Sequence, residues 1–463
     1  MLRDFAKVLG YLLIVASSVM LCTVVGLEFR QIISVTVFTS FIAGSLFYWP
    51  FRNAFALAGV ALLLGLRVLD VEHLIEFANL DIILFLVGMM IVVGYLEEKR
   101  FFDWLIGVLT KPFCSRPTAL IAILLMLAAV MAALVDEVTS ILFMMAIMLR
   151  VLKAFGVDKS KVLPFIIFLV FTTNIGSSAL PVGNPIGVMV AFRAGLTTLD
   201  FVRWVSPLAV INAAVVTLIS LPYLKKTGFS KVKVASCADL RIEEVKFTRG
   251  MLLPLMVFIA VLCGLIMHHN IEKALHLPKS TMLLATPLLG AGAALFIHRR
   301  RARELVEKKV DWWTLLYFIL LFSSVGTLKY TGVTDLIAQG VLRIIGGNVF
   351  YAMLLIGGIS GILTAFMDNV LAIATMIPVV QSMAEAGVYV YPIWWIMLIG
   401  GTYCGNATVI GSTANIVAAG FVEKRGYGSF SMLKWILLGT PISIVTFLLA
   451  LAMLYLQIPA MPR

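Results

Sequence analysis

The chain has 463 residues, 61% hydrophobic and only 13% charged, with a formal net charge of +12 and a mean hydropathy of +1.05. A soluble protein of ordinary composition carries roughly 25% charged residues, so a soluble fold is excluded. The apolar runs are continuous rather than alternating and about 17–25 residues long, which excludes a transmembrane β-barrel and predicts an all-α polytopic membrane protein.

The first apolar run, near residues 6–25, follows Arg3 and Lys7 and has no small-x-small cleavage pattern before Glu28. It is expected to be a retained transmembrane helix rather than a signal peptide. Further crossings are expected near 31–49, 53–69, 80–96, 162–195, 204–224, 250–268, 281–298, 310–328, 391–421 and 433–456, eleven in all. Segments 117–152 and 348–381 are too long for one crossing. As single helices they would measure roughly 50 Å, against a hydrocarbon core of about 30 Å.

Loop charge gives an orientation. Loop 99–116 carries Lys99, Arg100, Lys111 and Arg116 against Asp103, and loop 150–161 carries Arg150, Lys153, Lys159 and Lys161 against Asp158. Loop 225–249 has seven basic and three acidic residues, and loop 299–309 has six and two. All four are expected on the cytoplasmic side. Loop 70–79 has Asp70, Glu72 and Glu76 with no Lys or Arg, as an outside loop can. Eleven crossings then put the N-terminus in the cytoplasm and the C-terminus outside, in a multi-pass protein of the plasma membrane. The net positive charge is explained by topology, so no nucleic-acid partner is expected.

Segment 117–152 must leave and return to one side. Its midpoint holds Leu134-Val135-Asp136-Glu137-Val138-Thr139-Ser140. Carboxylates at membrane depth cost about 2.5–3.5 kcal/mol each on insertion scales, and irregular backbone there is tolerated only against protein or a water-filled cavity. Both long segments are therefore predicted to be re-entrant hairpins with polar tips, the second at Phe366-Met367-Asp368-Asn369-Val370.

The two tips belong to an internal repeat. Leu80-Asp81 through Gly94-Tyr95-Leu96 resembles Val310-Asp311 through Gly326-Thr327-Leu328, and Asp136-Glu137-Val138 resembles Asp368-Asn369-Val370. The offset is 232 residues from Gly94 to Met144 and 228 where Gly183 matches Gly411. The expected organisation is an N-terminal helix (1–29), a first repeat (30–224, hairpin 117–152, broken helix 162–195), a cytoplasmic linker (225–249) and a second repeat (250–456, hairpin 348–381, broken helix 391–421). Five crossings per half is odd, so the second repeat is inverted. Inverted repeats with interrupted helices meeting at the midplane are the architecture of a secondary transporter.

The interruptions are Asn174-Ile175-Gly176-Ser177-Ser178-Ala179-Leu180-Pro181-Val182-Gly183-Asn184-Pro185 and Gly405-Asn406-Ala407-Thr408-Val409-Ile410-Gly411-Ser412-Thr413-Ala414-Asn415. Gly and Pro free backbone groups, and Ser, Thr and Asn add neutral ligands, which suits a partly dehydrated cation or a polar neutral solute. The candidate substrate- or ion-binding residues are Asp136, Glu137, Thr139, Asn174, Ser178, Asn184, Asp368, Asn369, Asn406, Thr408, Ser412 and Asn415. Asp136 and Asp368 are also the candidate sodium ligands. The plainer reading makes these two aspartates helix N-caps, a role compatible with the first. Glu137 has the alternative of facing the basic loop or water. The five cysteines show no paired spacing and there is no ATP-binding motif, so no disulfide, no other metal site and no cofactor are expected beyond a coupling ion, H+ or Na+.

The segments Asp81–Trp104, Leu134–Ser140, Gly176–Pro185, Phe366–Val370 and Gly405–Val417 together resemble the arsenite permease and NhaD-type sodium–proton antiporter family of the ion transporter superfamily, which also holds citrate-transporter-like permeases. The likeness covers roughly residues 30–456. The family's first hairpin pattern, Leu-Asp-Asn-Val-Thr-Thr, is matched at Asp136, Val138 and Thr139, with Glu137 in place of Asn. Its Gly-Asp-Pro-Pro-Asn pattern is met with Asn184 for Asp and Gly187 for Asn. The second half matches more closely, at Asp368-Asn369 and from Gly411-Ser412 to Asn415. The resemblance implies an elevator-like homodimer coupled to protons or sodium. The anion-importing branch of the superfamily carries Ser-Asn-Thr at both hairpin tips, which is absent here.

Three functions stand beside one another. One is a sodium–proton antiporter, since a carboxylate in a semi-dry cavity can exchange a proton for a cation. A second is a proton-linked exporter of a neutral metalloid hydroxide such as arsenite or silicic acid. A third, an enzyme, is an intramembrane aspartyl protease using Asp136 and Asp368. That class carries Tyr-Asp and Gly-x-Gly-Asp motifs, whereas Val135 and Met367 precede the acids here, so no enzyme is expected.

Overall fold

The computed structural model describes residues 2–229 and 245–462, which hold α-helices and short 3-10 turns and no strand. In chain order the helices are α1 (Leu2–Val25), α2 (Phe29–Phe47), α3 (Arg52–Gly65), α4 (Val71–Phe77), α5 (Leu80–Glu98), α6 (Phe101–Thr110), α7 (Pro117–Leu134), α8 (Glu137–Ala154), α9 (Leu163–Ser177), α10 (Pro185–Ala194), α11 (Thr198–Trp204) and α12 (Ser206–Lys225). After the undescribed stretch come α13 (Arg249–Leu275), α14 (Thr281–His298), α15 (Ala302–Lys309), α16 (Trp312–Tyr330), α17 (Val333–Ile345), α18 (Val349–Phe366), α19 (Asn369–Glu385), α20 (Tyr391–Tyr403), α21 (Thr413–Lys424) and α22 (Met432–Gln457). Most of the linker expected at 225–249 lies outside the described residues.

Among the described residues eleven helices are long and apolar enough to cross a bilayer. The number matches the expectation but the membership differs. The expected crossing at 53–69 is the 14-residue α3, ending before Arg67, whose φ is +58°. The expected crossing at 391–421 is the broken pair α20 and α21. In their place the first arms of the two hairpins, α7 and α18, meet the length criterion. Short helices also form where loops were expected. α6 and α17 keep Ile106 and Val341 buried while Val108 and Ile344 are exposed.

The interruptions follow from the sequence. Pro181 and Pro185 have no N–H to continue α9, and Pro185 opens α10 at its first position. Asp136 and Asp368 start α8 and α19 as N-caps, each accepting backbone N–H groups of the first turn. Gly400 and Gly176 let helices touch backbone to backbone: a Cβ on Gly400 would lie 2.4 Å from the Gly357 carbonyl oxygen. Such contacts are how small residues pack membrane helices.

The second half reproduces the first. α7 packs on α9 as α18 packs on α20, and α21 packs on α8 as α10 packs on α19. That reciprocal exchange is what a two-fold relation requires. One repeat-equivalent pair touches directly: Asn369 Nδ2 donates to Glu137 Oε1 at 3.2 Å, across 232 residues. Beside it Asn174 Nδ2 donates to Asn406 Oδ1 at 2.7 Å. Equivalent residues can meet only at the pseudo-symmetry axis, so Glu137 and Asn369 mark it.

The cysteines depart from the expectation of no disulfide. Cys114 is disulfide-bonded, while Cys22, Cys263 and Cys404 are free; Cys237 lies outside the described residues. The pair His268-His269 lies within α13, which continues to Leu275, and His268 is buried with Nδ1 2.7 Å from the Leu265 carbonyl.

Outside the spans, Asp70 caps α4. Its Oδ1 accepts the His73 N–H at 2.8 Å and its Oδ2 lies 2.7 Å from His73 Nδ1. The backbone bond from His73, aided by the ring, holds the Asp70 carboxyl below its ordinary range. A lowered carboxyl stabilises the folded cap above its unfolded-state pKa and loses that effect as pH falls through the folded value. Asp70→Ala is expected to speed amide exchange at residues 72–74 at neutral pH, and acidification of the wild type to do the same. Unchanged exchange in both would refute the cap.

Candidate functional site

The tips of both hairpins meet the interruptions of both broken helices. Glu137 is 2% exposed. Its Oε1 accepts from Asn369 Nδ2 at 3.2 Å and Ser412 Oγ at 3.3 Å, and its Oε2 from Ser177 Oγ at 3.2 Å. These donors come from α19, the start of α21 and the end of α9. All are neutral, and among the described residues no salt bridge reaches Glu137. The expectation that it could face the basic loop or water gives way to a central, buried position. Removing a carboxylate from water is tolerated when its oxygens are hydrogen-bonded, and here a donor reaches each oxygen.

α9 and α20 have 15 and 13 residues before their breaks, roughly 20 Å each at 1.5 Å per residue. The two hairpin tips meet those breaks, the arrangement expected of re-entrant hairpins.

Asn174 joins the second layer. Its Nδ2 also donates to Asn415 Oδ1 at 2.8 Å, and its Oδ1 accepts from Ser412 Oγ at 3.2 Å. Asn406 Nδ2 reaches the Phe171 carbonyl at 3.3 Å. Asn184 caps α10 through Gly187 N at 2.6 Å and donates to Ser177 Oγ at 2.8 Å. Asp136 is half-buried, and its Oδ1 accepts the Val138 and Thr139 N–H groups at 2.8 Å each. Asp368, 3% exposed, accepts from Val370 N at 3.0 Å and from Thr413 Oγ1 at 2.6 Å. The two aspartates cap different helices and share no hydrogen bond, which removes the geometry a protease dyad needs.

Two predicted residues lie beside the cluster without facing it. Ser178 turns its hydroxyl back to the Ile175 carbonyl at 2.8 Å, and Thr408 bonds the Ala365 carbonyl at 2.6 Å, pinning the second hairpin to its break. The carbonyls freed at the second break are also occupied. Asn415 Nδ2 holds those of Gly405 and Thr408, Trp435 Nε1 holds that of Asn406, and Thr364 Oγ1 holds those of Gly401 and Gly411. The cluster therefore offers side-chain oxygens more than backbone carbonyls.

A cavity of about 450 Å³ leads to the cluster. Its rim includes the exposed Pro50, Asp311 and Trp313, and its floor is Asp136, Glu137, Thr139 and Asn184. Access is thus from the end where α5 finishes and α16 begins. The wall carries Arg52, which the sequence analysis did not single out. It is 5% exposed, with Nη2 donating to Thr314 Oγ1 at 2.9 Å and the guanidinium 4.1 Å from the Trp49 ring centre. Its Nε has no partner. Ser177 and Thr413 were missed as well, although each adjoins a residue that was chosen.

Comparison with known proteins agrees with this geometry. Residues 42–400 match the family described as Citrate transporter (CitMHS). An uncharacterized transporter of Mycobacterium tuberculosis is 30% identical over 435 residues, covering 92% of this chain and 99% of that protein. A 46 kDa membrane protein of Mycobacterium leprae is 27% identical over 385 residues, 80% of this chain and 86% of that one. The human P protein is 25% identical over 496 residues, 89% of this chain but 58% of the P protein. With hairpin tips and helix breaks meeting below a one-sided cavity, the protein is a multi-pass membrane transporter, not an enzyme, and it belongs to the citrate transporter (CitMHS) family.

Proposed function

We propose that the protein is a secondary active transporter of the arsenite permease and NhaD type that exchanges sodium for protons at Glu137, in the plasma membrane, with its N-terminus cytoplasmic, its C-terminus outside and a homodimer as the working unit. The observation that carries this reading is the pair formed by Glu137 and Asn369. Glu137 has only neutral neighbours in hydrogen-bond contact, and Asn369 Oδ1 beside it is buried with no partner. An unpaired buried carbonyl oxygen costs about 1–3 kcal/mol. A sodium ion would be held by the carboxylate, that amide oxygen and the hydroxyls of Ser177 and Ser412, which rotate to offer lone pairs. Without sodium, a proton on Glu137 neutralises the site. Asp136 and Asp368 keep the hairpin tips formed through their caps and add negative potential without contacting Glu137.

The second reading, a proton-linked exporter of a neutral metalloid hydroxide, is favoured by one feature. The cavity is far larger than a bare ion needs, and Phe85, Leu86, Met89, Met90, Val93 and Phe318 make much of its wall apolar. Titration calorimetry on purified protein, in buffers of different ionisation enthalpy, tests the first reading. Sodium binding should release about one proton per site, and Asp136→Asn or Asp368→Asn should weaken binding about tenfold or more, the scale of losing one well-placed charge. Sodium binding without proton release would sink the exchange, and arsenite binding alone would favour the second reading.

A further inference from the structure

The two faces of the molecule differ at repeat-equivalent positions. Thr314, Met90, Val93 and Val417 line the 450 Å³ cavity. Their counterparts Ile82, Phe322, Val325 and Met189 line a space of only about 120 Å³ on the opposite face. The first three pairs are 232 residues apart, and Met189 and Val417 are 228 apart. One face is thus open and the other shut, in one state of a pseudo-symmetric pair.

The shut face carries a fastening. Arg193, in the last turn of α10, donates Nη1 to Asp81 Oδ2 and Nη2 to Asp81 Oδ1, both at 2.9 Å, and Nη2 also bonds Asn79 Oδ1. Asp81 sits in the first turn of α5, where an acid complements the helix dipole. This bidentate fork joins a broken helix to α5. Beside it Phe77 fills the space over Gly326, where a Cβ would come within 2.3 Å of the ring. On the open face the position equivalent to Asn79, the other acceptor of this fork, holds Asp311. It is exposed, and among the described residues its carboxylate bonds only Thr314 of its own helix, accepting from N at 3.1 Å and Oγ1 at 2.6 Å. The basic residues at the end of α21 do not reach it: the Arg425 guanidinium lies 4.5 Å from the Phe421 ring centre of its own helix.

We infer that Asp81 and Arg193 form a latch that holds one face of the transporter closed, and that Asp311 is the repeat-related latch acceptor, left open in this state for the basic end of α21. The charges explain why the latch is reversible. A half-exposed fork with one bidentate geometry is strong enough to bias two states and too weak to lock them. Breaking it should let the α10 end leave α5, which opens the closed face and closes the open one.

The inference rests on the transporter alternating between faces, and its test needs no transported ion. Single cysteines replace Met189, 2% exposed on the shut face, or Val417 on the open one, in a background without other cysteines, and maleimide labelling rates are measured on purified protein. In Asp81→Asn, labelling at position 189 should rise about fivefold, the effect of losing one bidentate pair, and labelling at 417 should fall. The paired reversal Asp81→Arg with Arg193→Asp should return both rates towards those of the parent. Unchanged rates in Asp81→Asn overturn the latch. A rise at 189 with no fall at 417 also overturns it, since that is local loosening. Failure of the paired reversal to restore either rate shows that charge pairing does not close the face. A protein that moved neither sodium nor arsenite would sink the ion assignment and leave these labelling results standing.

Discussion

Glu137→Gln is expected to abolish proton-coupled transport, by about a hundredfold or more in initial rate, the scale on which losing a proton-transferring group acts. The protein should still fold. Gln has nearly the shape of Glu, its oxygen can accept from Asn369 and Ser412, and its amide can donate to Ser177 Oγ, which then acts as acceptor. The thermal midpoint in detergent should therefore move little, since a neutral hydrogen bond is worth about 1 kcal/mol. Glu137→Ala should cost stability as well. It strips acceptors from a buried amide and two buried hydroxyls, at about 1–3 kcal/mol for each group left unpaired. Transport assays paired with thermal unfolding separate the two variants. Coupled transport at the parental rate in Glu137→Gln would remove the carboxylate from the mechanism.

Gly176→Ala is expected to be the most damaging small substitution in the core. A Cβ at that position would lie 2.2 Å from the Ala129 carbonyl oxygen and 2.3 Å from its Cα. Both atoms are backbone, so no side chain can swing away, and α7 and α9 must move apart. Overpacking costs typically 1–3 kcal/mol and occasionally more; here about 3 kcal/mol or more is expected, against a gain of about 0.5–1 kcal/mol from replacing a helical glycine. The shift would also carry Asn174 and Ser177 away from the cluster, so transport should fall with stability. Gly107→Ala is the control, because nothing lies within 4 Å of its Cβ position. It should leave the thermal midpoint level or slightly raised. Equal midpoints for Gly176→Ala and the parent would mean that α7 and α9 are not in backbone contact.

Much of this was legible in the sequence. The apolar runs 117–152 and 348–381 exceed one crossing and carry acids at their midpoints, and that alone placed both hairpins and their caps. The offset of 232 residues also predicted more than it was used for. Glu137 and Asn369 are repeat equivalents, and residues near a two-fold axis meet their own equivalents.

The rest depended on tertiary contact. Ser177 and Ser178 are adjacent, and a rotation of about 100° per helical residue decides which hydroxyl reaches Glu137; no propensity distinguishes them. Arg52 looks like one of many positive loop residues, because its sequence neighbours do not reveal that α16 and Trp49 cover it. The short helices α6 and α17 escaped because runs of 10 and 13 residues are too brief to register as crossings. The freed carbonyls of the second break were expected to be ligands, but Asn415, Trp435 and Thr364 from elsewhere in the fold take them first.

The central claim is exchange of sodium for protons at a buried carboxylate. It is tested most directly in liposomes holding the purified protein and a trapped pH dye, with a proton gradient imposed before sodium, lithium or arsenite is added. The account predicts that sodium or lithium collapses the gradient, that arsenite does not, and that Glu137→Gln abolishes the response. Collapse by arsenite alone, or by sodium equally in Glu137→Gln, would contradict it.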